Sequence, residues 1–317
     1  MVRLLLYWCP MATPLWTIVL AAGAGRRLVS VTGGVPKQYW RPEGAQSLLE
    51  STVERLGPLA RPDRTITIVD ETHRDHVRRL DPRGTLGEII YQPMDRGTAA
   101  GVLLPLAAVV ASSPDALVVV TPSDHGVDDD ECFRSGLRGA VARVERGSSD
   151  VVLFGVEPSS VSIDFGWIMP DARGSLATGA EFRRIASFVE KPPLYEAFQL
   201  FSSGAVWNTM VLVGRAAALF ELYRRHLPFH ADVMVAAHSR DELERGRFLR
   251  EWYPELPHAD FSRDVLTPSK NLCVFTFPVD MGWSDLGTPE RMAEWMELQR
   301  QPKAMTVTSD DRIEHVA

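Results

Sequence analysis

The sequence predicts an α/β fold, a sheet layered with helices, and three observations predict it. Short apolar runs rich in valine and isoleucine alternate with longer stretches whose apolar residues recur at helical spacing. Glycine, proline and acidic residues punctuate the ends of the apolar runs. With 317 residues, the chain can build one large α/β domain or two modest ones.

The elements follow in order. "WTIVLAAG", from Trp16, is a buried strand by its unbroken apolar character. "SLLESTVERL" opens on a capping box, Ser47 with Glu50, and sets Leu49, Val53 and Leu56 on one helical face. "TITIVD" and "GEIIYQP" are strands on either side of the short helix "HRDHVRRL". A helix is expected from Thr98 to Val110, with Pro105 kinking it or delaying its start. "ALVVVTPSDH" is a fully apolar strand ending in acid. The three aspartates of "DDDECFRSGLRGAVARVE" complement the dipole of the helix they open.

In the second half, "DVVLFGV", "FGWIMP", "RIASFVEKP", "WNTMVLVG" and "LCVFTFP" read as strands. Helices are expected at Leu194–Phe201, over a long stretch from Ala216 to Arg250, and at the end of "VDMGWSDLGTPERMAEWMEL". Neither an internal repeat nor a low-complexity linker interrupts the alternation. One domain over residues 15–300 is therefore expected, with a loosely held extension at 1–14 and a polar tail at 301–317. The apolar stretch from Leu4 to Trp8 is too short for a secretory core or a membrane span, and Met11 is a candidate initiator. A cytoplasmic protein is expected, without a membrane partner.

A formal net charge of −7 argues against a broad nucleic-acid face, so an anionic ligand needs a local cluster of cations. Cys9, Cys132 and Cys273 lie far apart, which gives neither ligand spacing nor a disulfide framework. His73 and His76 share a helix face without further ligands nearby, and are expected to be surface histidines.

In open α/β sheets, ligands bind beyond the carboxyl ends of the strands. Four groups of residues cluster at such ends: Gly23 to Arg27, Gln92 to Thr98, Thr121 to His125, and Glu190 with Lys191. The Gly23–Gly25 loop lacks the third glycine of a dinucleotide fingerprint and the Gly-Lys-Ser/Thr of a Walker loop. A tight turn is its ordinary explanation. Arg27 and Lys37 add to it, because backbone N–H groups with nearby cations suit a polyphosphate. Asp124 and Asp285 read either as turn or cap acids, or as two carboxylates sharing a divalent cation such as Mg²⁺. Lys191, before a proline, could offer a point charge to a phosphate.

The set as a whole resembles the sugar-1-phosphate nucleotidylyltransferases, most closely the mannose-1-phosphate guanylyltransferase branch. "AGAGRRL" and "PKQ" stand for the family's signature loop, with Ala22 in place of a glycine and Arg26 in place of a threonine. "QPMDRGTAAG", "PSDH", "FGWI", "FVEKP", "WNTMVLVG", "FSRDVL" and "GWSDLGT" follow in the family's order, from about Leu15 to Glu290. The resemblance implies a three-layer α/β/α, Rossmann-like nucleotidyltransferase domain with a mixed, mainly parallel sheet.

It also implies a reaction, NTP plus sugar 1-phosphate giving NDP-sugar plus pyrophosphate, with GTP and mannose 1-phosphate as the expected pair. Residue roles carry over by position. Ala21, Ala22, Gly23, Gly25, Gln92, Arg96, Gly97, Thr98 and Ser123 would form the nucleotide site. Arg27 and Lys37 would face the triphosphate, Asp124 and Asp285 would hold Mg²⁺, and Lys191 would orient the sugar phosphate. Gly166, Glu190 and Asn208 would read sugar hydroxyls, with Asp264 a further acid of the substrate site. A monomer or homodimer is expected. The alternatives are the same reaction with another base or sugar, a non-catalytic nucleotide-sugar sensor on the same fold, or a glycosyltransferase.

Overall fold

The computed structural model describes residues 13–42, 45–171 and 182–300. Residues 1–12 of the expected extension and the tail 301–317 lie outside the described residues. Nine strands form one sheet: β1 (Leu15–Ala21), β2 (Thr65–Asp70), β3 (Glu88–Gln92), β4 (Leu117–Pro122), β5 (Val151–Val156), β6 (Gly166–Pro170), β7 (Phe182–Glu190), β8 (Val206–Arg215) and β9 (Cys273–Phe277). Their order is β3-β2-β1-β4-β8-β5-β9-β7-β6. The pairings make β7 and β8 run against the other seven strands, so the sheet is mixed and mainly parallel.

The period-two alternation of the strands sorts the core into two layers. Ile18, Ile68 and Val120 point to one face, where Leu103 and Leu106 of α4 (Gly97–Ser112), Tyr223 of α7 (Ala216–His226) and Met234 of α8 (Pro228–His238) cover them. Val19, Val69 and Val119 point to the other, beneath Leu49 and Leu56 of α2 (Leu48–Leu56), Val77 of α3 (Arg74–Leu80), and Leu137 and Val144 of α5 (Asp130–Glu145). The result is three layers. A four-residue helix, α1 (Val29–Thr32), follows the first loop, and α6 (Leu194–Ser202) follows β7.

β8 joins the two halves of the sheet. Its C-terminal part pairs with β4, Leu117 opposite Arg215, while Trp207 at its N-terminal end pairs with both Val156 of β5 and Trp167 of β6. With β7 pairing to β6 and to β9, and β9 to β5, the ladders of β8, β5, β9, β7 and β6 close a circuit.

The expectations for the start of α4 and for His73 are corrected, and the helical stretch from Ala216 resolves into three helices. Pro105 does not delay the start of its helix: α4 runs from Gly97 to Ser112 around it. Burial of nine of its residues, Pro105 among them, offsets the hydrogen bond that the proline removes. The long stretch from Ala216 breaks into α7, α8 and α9 (Glu242–Trp252), because Pro228 starts α8 at its first turn and the Asp241 carboxylate caps Glu244 N–H at 2.9 Å. His73 is buried rather than on the surface. Its ring meets Tyr39 edge-on at 5.3 Å, while His76 stacks on the same tyrosine. A last helix, α10 (Pro289–Arg300), closes the fold, and among the described residues no helix is long and apolar enough to cross a membrane.

The capping box of α2 forms as expected: Ser47 Oγ accepts from Glu50 N–H at 3.2 Å, and Glu50 Oε2 accepts from Ser47 N–H at 2.9 Å. Ser47→Ala should cost about 1 kcal/mol of stability. It should lower the urea midpoint with an unchanged m-value, and Ser47→Asp should restore most of the loss.

Candidate active site

The loop that leaves β1 is shaped by the turn that follows it. Gln38 Nε2 donates to the carbonyl oxygens of Ala21 at 2.9 Å and Gly23 at 2.8 Å, and the Tyr39 hydroxyl donates to Ala21 at 3.0 Å. Gly25 sits at φ 63°, where a Cβ would lie 2.8 Å from the Lys37 amide nitrogen. Only glycine lets these two turns approach. At Gly23 a Cβ would meet nothing within 4 Å. Gly23, Ala22 and the exposed Arg27 line a cleft of about 480 Å³ at the carboxyl ends of β1, β3 and β4.

Ser123 ties two of those ends together, donating to Leu20 O through its amide at 3.0 Å and its hydroxyl at 2.8 Å. The next residue, Asp124, turns its carboxylate into the cleft and pairs with Lys37 Nζ at 3.0 Å. The same ammonium donates to the carbonyls of Asp285 at 2.6 Å and Leu286 at 3.2 Å. Lys37 is buried, and three acceptors match its three donors. Burial alone would raise the Asp124 carboxyl, but the Lys37 ammonium holds it below the usual range. Sequence reasoning set Lys37 at a triphosphate; in this structure its nitrogen is a hub between the two acids.

Asp285 does not line the cleft. It opens onto an adjoining cavity of about 430 Å³, where its Oδ1 accepts from Arg291 and from Gly287 N–H at 3.2 Å. The two acids therefore meet at one ammonium, Asp124 by its carboxylate and Asp285 by its carbonyl. As ligands they are hard oxygen donors and suit Mg²⁺, which accepts one or two carboxylates and completes its shell with water and phosphate. Among the described residues no cluster of three or more His, Cys, Asp or Glu forms a self-sufficient metal site. Beside them, the Trp283 indole N–H donates to His125 Nδ1 at 3.3 Å. Indole is a donor only, so the imidazole proton sits on Nε2. Burial pushes His125 down to about 4, which keeps the ring neutral at physiological pH.

The far wall of the cleft is the start of α4. Gly97, at φ 84°, packs so tightly against the Ala259 carbonyl that a Cβ cannot fit, and its amide donates to Asp95 Oδ1 at 2.8 Å. Thr98 Oγ1 donates to Asp260 Oδ2 at 3.1 Å and accepts from Phe261 N–H at 2.8 Å. Gln92 is buried at the end of β3 and also lines the cleft. Arg96 turns away: its guanidinium donates to the Pro254 carbonyl, and it is not among the cleft residues.

A second cluster lies beyond Asp260 and Met210. Gly166 and Glu190 are ladder partners, and a Cβ on Gly166 would collide with the Glu190 carboxylate. Burial raises the Glu190 carboxyl against the opposing pull of Lys191 Nζ, 3.3 Å away. Lys191 has φ 47°, an uncommon backbone for a residue with a side chain, and its ammonium is largely exposed. Asn208, buried on β8, donates to Ser262 Oγ at 3.4 Å. Asp264 accepts from Arg263 at 2.9 and 3.0 Å and from Asp260 N–H at 2.7 Å, so it shapes the turn that carries Asp260.

Sequence reasoning missed Gln38, His125, Asp260 and Trp283 as site residues. Gln38 and His125 stood in quoted blocks beside Lys37 and Asp124, Trp283 stood two residues before Asp285, and Asp260 directly precedes the block "FSRDVL" that holds Asp264. Lone polar groups of this kind show their use only when their partners, far along the chain, are in place.

A family model described as nucleotidyl transferase matches residues 16–301. The chain is 30% identical over 319 residues to a mannose-1-phosphate guanylyltransferase of Salmonella montevideo, covering 97% of this chain and 64% of that one. It is 29% identical over 287 residues to the protein of the same name from Escherichia coli, covering 86% and 58%. The chain thus spans about three-fifths of the length of these curated relatives. A solved structure named mannose-1-phosphate geranyltransferase, from Thermus thermophilus, superposes with a TM-score of 0.77 at 28% identity, covering 92% of this chain and 80% of that one.

The two loop glycines separate by their surroundings. Gly25→Ala should lose about 1–3 kcal/mol of stability through its backbone and its contact with Lys37. Gly23→Ala should stay within about 0.5 kcal/mol of the parent. Denaturant titration of the two variants checks both.

Proposed function

The chain belongs to the nucleotidyl transferase family, and from that premise we propose that it transfers a nucleoside monophosphate from NTP to a sugar 1-phosphate, releasing pyrophosphate. GTP and mannose 1-phosphate are the proposed pair, supported by the similarity to proteins named mannose-1-phosphate guanylyltransferase. The observation that carries the reading is the junction at the cleft, where Lys37 joins Asp124 to Asp285 beside a glycine loop and Arg27.

The chemistry asks little of the protein beyond charge and position. A sugar phosphate has its second pKa near ~6. Its oxygen is already anionic at neutral pH, and a general base is unnecessary. The barrier lies in bringing two polyanions together in line at the α-phosphorus. Arg27, exposed on the cleft rim, would meet the triphosphate, and the open space at Gly23 would let backbone N–H groups approach it. Lys191 would take the acceptor phosphate, with Glu190, Asn208 and the backbone at Gly166 reading hydroxyls. Gln92, Gly97 and Thr98 would border the base. Arg96, bound to the Pro254 carbonyl, would act there by bracing the wall. Asp124 and Asp285 would hold Mg²⁺, which would supply charge neutralisation at the transferring phosphate.

A non-catalytic sensor would bind the same ligands without needing both acids, and a glycosyltransferase would release NDP in place of pyrophosphate. The deciding experiment sets four NTPs against several sugar 1-phosphates and scores pyrophosphate. Release with GTP and mannose 1-phosphate, at least tenfold above other pairs, is expected; a tenfold preference needs only about 1.4 kcal/mol. Preference for another base overturns the GTP assignment, and no release from any pair overturns the enzyme.

Asp124→Asn should lower kcat by about three orders of magnitude, since a metal ligand supplies several kcal/mol of charge stabilisation. Lys191→Ala should act mainly on the KM for the sugar phosphate, and Arg27→Ala on kcat and kcat/KM together. Titration calorimetry of GTP with Mg²⁺ separates them. Equal loss of nucleotide affinity in both variants contradicts the two-phosphate assignment.

A further inference from the structure

Asp285 is held from two sides. Its carbonyl accepts from Lys37 at 2.6 Å, while its carboxylate is gripped by Arg291, in the first turns of α10, a residue that the motif blocks leave out. One guanidinium nitrogen of Arg291 donates to Asp285 Oδ1, the oxygen that also accepts from Gly287 N–H at 3.2 Å. The other faces Asp164 Oδ2 at 3.4 Å, and the guanidinium carbon lies 5.1 Å from the centre of the Phe165 ring. Among the described residues, no hydrogen bond reaches Asp285 Oδ2.

We propose that Arg291 is a positioning residue that clamps one oxygen of Asp285 and thereby presents the other to the divalent cation. The inference rests on the reading of Asp285 as a metal ligand. A guanidinium suits this task because it is planar and rigid, and its second prong and its stacked face are both anchored. A partner that orients a metal ligand typically carries a 10–100-fold share of metal affinity, so about tenfold is expected at stake here. The opposing effect is repulsion between Arg291 and the incoming cation. Asp164 balances that charge and leaves the clamp as the larger contribution. The same contacts tie Asp285 to Asp164 and Phe165, directly before Gly166, so the metal acid and the sugar-reading strand share one brace.

Mn²⁺ alone, titrated into the full chain and followed by electron paramagnetic resonance, tests the clamp without turnover. Arg291→Gln should weaken Mn²⁺ binding by about tenfold or more. Arg291→Lys should recover part of the loss, and Asp164→Asn, which frees only the anchoring prong, should show a smaller one. Pyrophosphate release by Arg291→Gln should rise towards the parent's as Mg²⁺ is increased, which a general folding defect would not allow. Should Arg291→Gln not fold, Arg291→Lys and Asp164→Asn carry the comparison. Unchanged or tighter Mn²⁺ binding in the Arg291 variants, with Asp285→Asn weakened, overturns the clamp and leaves the metal reading standing. Mn²⁺ binding that Asp285→Asn does not alter overturns the metal reading and the clamp with it.

Discussion

One buried ammonium holds this molecule's working end together. Lys37 Nζ reaches the Asp124 carboxylate and the carbonyls of Asp285 and Leu286, joining the loop after β1, the end of β4 and the segment before α10. A lysine this buried is costly unless each of its donors is satisfied. Here each is, and other local features follow from that requirement. Gly25 must be glycine so that the turn carrying Lys37 can close over the loop. Leu286 adopts φ 48°, an uncommon conformation for a leucine, where its carbonyl meets the same nitrogen.

The sheet makes that meeting possible. β1 and β4 are parallel neighbours, so the loop after β1 and Asp124 emerge at the same edge. The Gly126–Ser284 bridge then fastens the segment holding Asp285 beside them. The second half contributes differently: β8 and β7 turn back against the others and close a circuit that carries Gly166, Glu190 and Asn208. Asp260, bonded to Thr98 of α4, lies between the two regions. In the proposed reaction the cleft lined by Arg27 would take one polyanion, and the cluster of Lys191 and Glu190 would take the other.

How much of this was legible in the sequence depends on the kind of signal. The strands were, because a run such as "ALVVVTP" buried on both faces has almost no other use. Helix breaks at Pro228 and Asp241 were written in cap chemistry but hidden inside a long polar-apolar stretch. The block "QPMDRGTAAG" could not reveal that the Arg96 side chain turns to the Pro254 carbonyl. Lys37 was visible as a cation near a glycine loop, whereas its partners lie far along the chain. Arg291 was invisible for the same reason: on α10 it reads as an ordinary helical charge until Asp285 and Asp164 are beside it.

The central claim is that a sugar phosphate oxygen attacks the α-phosphorus of an NTP. It is tested most directly with sugar 1-phosphate labelled with ¹⁸O in its phosphate, with the products read by ³¹P isotope shifts. The account predicts all of the label in the sugar-linked phosphate of the NDP-sugar and none in pyrophosphate. Label appearing in pyrophosphate or in free phosphate would contradict it.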